Sequence, residues 1–218
     1  MPIIENIKYY LLTSYRRKML DKALAKNRHL FNGDVLDIGG GKKDGRFIPP
    51  KTNKWVIADM RHELNPDVIA SVEKLPFKTG SFDTIKATEL FEHVEDFEKG
   101  FRECYRVLKK GGNMIISVPF MYPFHPDPGD YQRITVQKWQ NLARQYNMKI
   151  TVEEQGHFLT VLAESWRCFV VNLQNPIRYF LYFTFPLADL LTILEKNSNG
   201  KNFYFKGFIE GYFMVFKK

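Results

Sequence analysis

The sequence predicts an α/β fold, a seven-stranded and mostly parallel sheet with helices on both faces and a helical, aromatic-rich insert before the last strand. Three observations predict it. Short apolar runs of strand length alternate with segments of helical periodicity, the pattern of a parallel sheet with crossover helices. The run Val35–Ile38 leads directly into Gly39-Gly40-Gly41, a strand entering a tight turn with bare backbone. Two further runs close on carboxylates, Asp59 and Glu89, where parallel sheets place their ligands.

Each element follows from local chemistry. Ile3, Ile7, Tyr10, Leu11, Met19 and Ala23 recur at roughly helical spacing, with Arg16-Arg17-Lys18 breaking the apolar face, so one or two helices come first. Asp34–Ile38 is the first strand and Trp55–Asp59 the second. Gly45 and Pro49-Pro50 leave no room for a long helix between them. Val68-Ile69-Ala70 is a short third strand; Lys78-Thr79-Gly80-Ser81 turns into a fourth, Phe82–Thr88. Asp96 caps a helix whose buried stripe is Phe97, Phe101, Cys104 and Leu108. Lys109-Lys110 suit its last turn, and Gly111-Gly112 terminate it. Met114–Val118 is the fifth strand, stopped by Pro119. Thr135 starts a helix carrying Trp139, Leu142 and Tyr146; Lys149–Val152 and Gly211–Phe216 are the sixth and seventh strands.

The insert, roughly residues 157–206, is rich in Phe and Tyr and cut by Pro176 and Pro186, with Arg178 and Asp189 interrupting its hydrophobicity. It reads poorly as a membrane span, which needs about 20 mainly apolar residues. Two readings stand: lid helices packed on the core, or a surface touching lipid through aromatic and basic residues such as Arg167, Arg178 and Lys196. The expected plan is one domain over 1–218: N-terminal helices at 1–30, a core at 31–155, the insert at 156–206 and the last strand at 207–218.

With 44% hydrophobic and 26% charged residues, the 218-residue chain has the composition of a soluble globular protein. Cys104 and Cys168 show no metal or redox spacing, which indicates a reducing cytosol and no metal. The N-terminus lacks the order of a signal peptide. A net charge of +8 favours an anionic partner without choosing among nucleic acid, lipid and phosphorylated substrate.

The glycine turn is the first chemical signal. A dinucleotide fingerprint needs a third glycine in G-x-G-x-x-G, and Lys42, Lys43 and Asp44 intervene before Gly45. Asp37 stands two residues ahead of Gly39. A carboxylate there suits a cationic amine or sulfonium better than a polyphosphate, which points to S-adenosylmethionine.

Read together, the segments resemble the class I S-adenosylmethionine-dependent methyltransferases, most closely the type 11 group. The matching blocks are VLDIGGG (35–41), VIAD (56–59), LPFKTGSFD (75–83), ELFEHV (89–94), RVLKKGG (106–112) and SVPFMYPFHPDPGDYQR (117–133). The resemblance covers about residues 30–155 and implies a Rossmann-like sheet. It also implies that Asp37, with the backbone of Gly39, Gly40 and Gly41, holds the methionine moiety. Asp59, followed by Met60, would accept both ribose hydroxyls. Ser71 and Val72 fall at the adenine pocket, although many relatives carry an acid where Ser71 stands. Glu89 would lie beside cofactor and acceptor.

On the acceptor side, His125 is the candidate general base, with Asp127 or Asp130 orienting it. Arg133 and Tyr131 are placed to bind an oxyanion or a sugar hydroxyl. Glu92 and His93 read as fixing a helix start rather than performing chemistry. Relatives with this block pattern often accompany bacterial surface-polysaccharide synthesis, so the resemblance implies cytoplasmic O-methylation of a sugar or lipid-linked glycan, with peripheral membrane contact through the insert. A quinone or other hydrophobic small molecule is the alternative acceptor, and a non-catalytic membrane-associated module the alternative class. Nucleic acid is not expected as a partner, since the positive charges are dispersed.

Overall fold

The computed structural model describes residues 3–40, 47–197 and 207–218. The chain divides into two compact units. One comprises Asp21–Phe120, Phe124–Glu153 and Tyr212–Lys218; the other Met1–Leu20, Met121–Pro123 and Glu154–Gly211.

The first unit carries the sheet. Its strands β1 (Asp34–Ile38), β2 (Lys54–Asp59), β3 (Val68–Ile69), β4 (Phe82–Thr88), β5 (Leu108–Pro119), β6 (Lys149–Gln155) and β7 (Gly211–Lys217) order as β3-β2-β1-β4-β5-β7-β6. The pairs β1/β2, β1/β4, β2/β3 and β4/β5 are parallel. The expected seven-stranded, mostly parallel sheet is therefore present. Val35, Leu36, Ile85, Ala87, Ile115 and Ile116 are fully buried, as two-sided coverage requires of a parallel strand. Connections from β1 run to β2 on one side and reach β4 on the other. Such a reversal opens a crevice at the strands' carboxyl ends.

Helix α3 (Phe97–Val107) starts as expected, with the Asp96 carboxylate accepting from Lys99 N–H. Helix α4 (Val136–Gln145) buries Trp139 completely, its ring edge-on to Phe91 and Phe97 at 5.5 and 5.7 Å. A fully buried ring of this size stabilises the unit by roughly 1.5–3 kcal/mol.

One expectation is corrected here. Leu108–Lys110 belong to β5 rather than to the end of α3, and Gly111-Gly112 do not terminate a helix. Lys109 Nζ instead reaches Asp83 at 2.7 Å and Asp34 at 3.5 Å. The strand register slips between Phe82 and Thr84, so residues 109–112 bulge against β4. Gly111 takes φ +77°, and a side chain at Gly112 would sit 2.8 Å from Asp83 O, which is why glycine stands at both places. Gly111 N–H donates to Lys218 O, and Lys218 N–H to Gly112 O, so β7 runs against β5.

The second unit is helical. It holds α1 (Ile3–Leu12), α5 (Phe158–Val171), α6 (Ile177–Leu181), a 3-10 turn (Tyr182–Thr184) and α7 (Phe185–Asn197); α2 (Tyr15–Lys26) begins in it. Tyr15, Ala163 and Ala188 form its packed seam, the alanines letting α5 and α7 approach closely. Ionisable groups are buried here as well. Arg16 Nε lies 3.8 Å from Glu210 Oε1, and the Glu164 carboxylate accepts from Tyr15 N–H. Burial raises the Glu210 carboxyl well above its ordinary range, opposed by Arg16 and reinforced by Glu164, which burial also raises. Folded Glu210 thus keeps a proton that the unfolded chain releases near its ordinary value of 4.5. Its contribution is most favourable below that value and is lost as pH rises towards the folded value. Glu210→Gln should therefore raise the melting temperature more at about pH 8 than at about pH 5, read by circular dichroism. An equal shift at both values would mean that folded Glu210 ionises normally.

Candidate functional site

The carboxyl ends of β1, β2 and β4 converge on one cavity of about 440 Å³. Its wall includes Gly39, Asp59, Met60, Ser71, Val72 and Glu89, six of the nine residues expected to hold a cofactor. Asp37 and Gly40 stand next to that wall without forming it. Gly41 lies outside the described residues.

The turn after β1 is built around Asp37. Its carboxylate meets Lys86 Nζ at 2.8 Å, both side chains nearly excluded from solvent, and the two residues are register partners on β1 and β4. Gly40 leaves that carboxylate its space, for a Cβ there would fall 2.5 Å from Asp37 Oδ1. Gly39 adopts φ +72°, a conformation natural only to glycine, and its N–H donates to Ala58 O at 2.9 Å.

Asp59 is buried at the end of β2. Its Oδ1 accepts from Arg61 N–H at 2.8 Å and from Nε at 3.3 Å. Arg61 Nη1 reaches on to Asp127 Oδ2 at 2.8 Å. Hydrogen bonding to Asp59, then to Asp127, holds the guanidinium firmly charged. Arg61 thus joins the carboxylate expected to bind ribose to one expected on the acceptor side. Ser71 Oγ accepts from Glu73 N–H at 3.1 Å, a turn-forming role, while Val72 presents apolar surface. Glu89 takes φ +55°, unusual for a residue with a side chain. It is held there by its N–H to Ser117 O at 2.8 Å and by the Ser117 hydroxyl donating to Oε1. Such strain costs on the order of 1 kcal/mol and concentrates at functional sites.

The acceptor-side residues lie on the loop between β5 and α4. Asp127 and Tyr131 line the cavity; His125 and Arg133 do not. Arg133 forks onto Asp130, with Nη2 donating to Oδ2 at 2.8 Å, and His125 N–H donates to the same oxygen at 3.0 Å. Arg133 first, with the His125 amide, holds the Asp130 carboxyl far below the usual carboxylate range. The imidazole that does line the cavity is His93, which sequence reasoning assigned to packing. Its Nδ1 bonds Gly129 O, which can only accept, so Nδ1 carries the proton and Nε2 is left as the basic nitrogen of the neutral ring. The His93 and His125 rings meet edge to face, centroids 5.1 Å apart. Tyr131 N–H donates to Glu92 O at 2.8 Å, and the Gln132 amide to Val94 O at 2.6 Å, strapping this loop over the His93 turn. No signal along the chain announces that strap.

Residues 51–116 match the family model described as a methyltransferase domain. The chain is 37% identical over 104 residues to the demethylmenaquinone methyltransferase of Streptomyces griseus, covering 41% of this chain and 45% of that protein. It is 33% identical over 112 residues to the Escherichia coli ubiquinone/menaquinone biosynthesis C-methyltransferase UbiE, with the same coverages of 41% and 45%. The chain thus spans about half the length of the curated relatives it matches. Among solved structures, a SAM-dependent methyltransferase from Archaeoglobus fulgidus superposes with a TM-score of 0.56 at 15% identity, covering 100% of both chains. Haemonchus contortus phosphoethanolamine N-methyltransferase 2, solved with S-adenosyl-L-methionine, gives 0.57 at 16% identity, covering 91% of this chain and 52% of that one. Residues 51–116 are thus similar to the methyltransferase-domain family, and the fold is shared with a SAM-dependent methyltransferase of known structure.

Proposed function

We propose that this chain, its residues 51–116 matching the methyltransferase-domain family, is an S-adenosylmethionine-dependent methyltransferase that O-methylates a sugar or lipid-linked glycan in the cytoplasm. The cavity's charge carries the reading. Asp59, Glu63, Glu73, Glu89, Glu95 and Asp127 line it against a single guanidinium, Arg61. That field attracts a sulfonium and an α-ammonium and repels a dinucleotide's pyrophosphate.

In this reading Asp59 takes the two ribose hydroxyls once Arg61 turns aside. Met60, Ser71 and Val72 bound the adenine, and the Gly39-Gly40 turn with Asp37 behind it receives the methionine moiety. Glu89 faces the methyl group's side of the cavity. Bound S-adenosylmethionine would supply its sulfonium methyl for in-line transfer to the acceptor oxygen, the sulfur keeping the carbon–sulfur electron pair as S-adenosylhomocysteine. The hydroxyl proton passes to an imidazole: His93 on the cavity wall, backed by His125. Asp127 holds Arg61, while Arg133 positions the loop through Asp130. A lipid-carried acceptor would bring the enzyme to the inner face of a membrane as a peripheral protein.

A second reading, methylation of a quinone, is favoured by the names of the curated relatives. Labelled cofactor supplied with a glycan-lipid extract and, separately, with demethylated quinone distinguishes the two. Label is expected in the glycan fraction; label in quinone alone replaces the acceptor, and transfer to RNA alone ends both readings. His93→Gln should lower turnover by about 10²–10⁴-fold while S-adenosylhomocysteine still binds. Undiminished turnover would leave alignment as the whole mechanism.

A further inference from the structure

The helical unit presents an apolar face that neither its own packing nor the proposed chemistry uses. Phe180, Phe183, Leu187, Leu190 and Leu194 follow one another at spacings of three and four. This puts them along one side of the continuous helical stretch from α6 to α7, roughly 21 Å from end to end. All five are exposed, Phe183 by 84%, Phe180 by 74% and Leu187 by 64%. Helix α5 adds a parallel case at the same spacing, with Leu162, Trp166 and Phe169 exposed. A soluble helix normally turns such a stripe inward. Here the inward positions are already filled by Phe185 and Ala188, which are buried.

The acids of this stretch also turn inward. Asp189 accepts from the hydroxyls of Tyr10 and Tyr15. The Glu195 carboxylate accepts from His157 N–H at 2.9 Å and Leu159 N–H at 2.6 Å, at the start of α5. The outward side is left without either acid and with Tyr179 and Trp166 exposed beside the stripe, ring systems that favour a membrane–water interface.

We propose that this face seats the protein in one leaflet of an anionic lipid bilayer, α6–α7 lying in the plane of the interface. Residues 177–195 are long and apolar enough to cross a membrane. Crossing would require both sides of the helix to meet hydrocarbon, and one side is committed to Asp189, Phe185 and Ala188. In-plane seating uses only the free side. A second copy of the chain would bring another net charge of +8 and offer no exposed acid from the stretch. Anionic headgroups supply the opposite charge, in keeping with the net +8. The inference is independent of the proposed reaction, although a lipid-carried acceptor would give the seating a purpose.

Flotation of the full chain with vesicles of phosphatidylglycerol and phosphatidylethanolamine tests it, beside phosphatidylcholine vesicles and without any cofactor. Strong partitioning to the anionic vesicles is expected, with a blue shift of tryptophan emission. The triple substitution Phe180→Gln, Phe183→Gln and Leu187→Gln should cut partitioning at least about tenfold, a change of 1.4 kcal/mol or more. These positions are exposed, so circular dichroism and S-adenosylhomocysteine affinity should not change. Partitioning unaffected by the triple substitution overturns the proposal. So does a chain that ignores vesicles and instead sediments as a dimer that the substitution dissociates. Loss of S-adenosylhomocysteine binding in the unsubstituted chain would count against the methyltransferase reading alone.

Discussion

Asp59→Ala is expected to weaken S-adenosylhomocysteine binding by about 10²–10⁴-fold. Two hydroxyl bonds to a charged acceptor are each worth roughly 1.5–3 kcal/mol, and their loss converts directly into that range. The effect should sit near its upper limit because Asp59 is buried, where water cannot substitute for the missing carboxylate. Arg61 makes the experiment sharper. Its guanidinium now occupies the same carboxylate oxygens that a ribose would use. Arg61→Ala removes a competitor, so it should leave the affinity equal or tighter. Isothermal titration calorimetry of both variants separates the two roles. Unchanged affinity in Asp59→Ala would put the ribose elsewhere, and a parallel loss in both variants would make Arg61 a ligand contact.

Lys86→Ala should destabilise the sheet unit by about 3 kcal/mol, the low end of the cost of removing one partner from a buried ion pair. For a chain of this size that corresponds to a fall of roughly 6–12 °C in melting temperature. The cause is Asp37, 7% exposed, which loses a cation 2.8 Å away at the centre of the sheet. Further contacts of Asp37 keep the expected loss at this lower end. Lys86→Met refills most of the volume without the charge and should behave like Lys86→Ala if charge is the cause. A melting temperature restored by methionine would show that packing matters more. Either variant should also loosen the glycine turn, because Gly40 is shaped around the Asp37 carboxylate that Lys86 holds in place.

Local rules read much of this chain correctly. β4 runs from Phe82 to Thr88 and β1 from Asp34 to Ile38, the bounds read from the apolar runs. They succeed because a buried parallel strand needs an apolar run and little else. The end of α3 went the other way. Lys109-Lys110 followed by Gly111-Gly112 satisfies every rule for closing a helix, yet the same residues satisfy a bulged strand. Asp83, Asp34 and Lys218 decided between them, and none is near in sequence. The candidate site divides in the same way. Gly39 and Glu89 follow strands, Asp59 ends one, and all three could be read from their order. His125 drew attention because it follows β5, whereas His93 reached the cavity wall through the Gly129 carbonyl.

What the sequence determined by itself is the sheet and the set of carboxylates at its strand ends, since periodicity and turn chemistry act over a few residues. What only the tertiary structure decided is which charges meet. Lys86 faces Asp37 by strand register, Arg61 spans from Asp59 to Asp127, and Asp189 is turned inward by two tyrosines. Ion pairs and hydrogen bonds act across space without regard to chain distance, so their partners become known only when the fold brings them together.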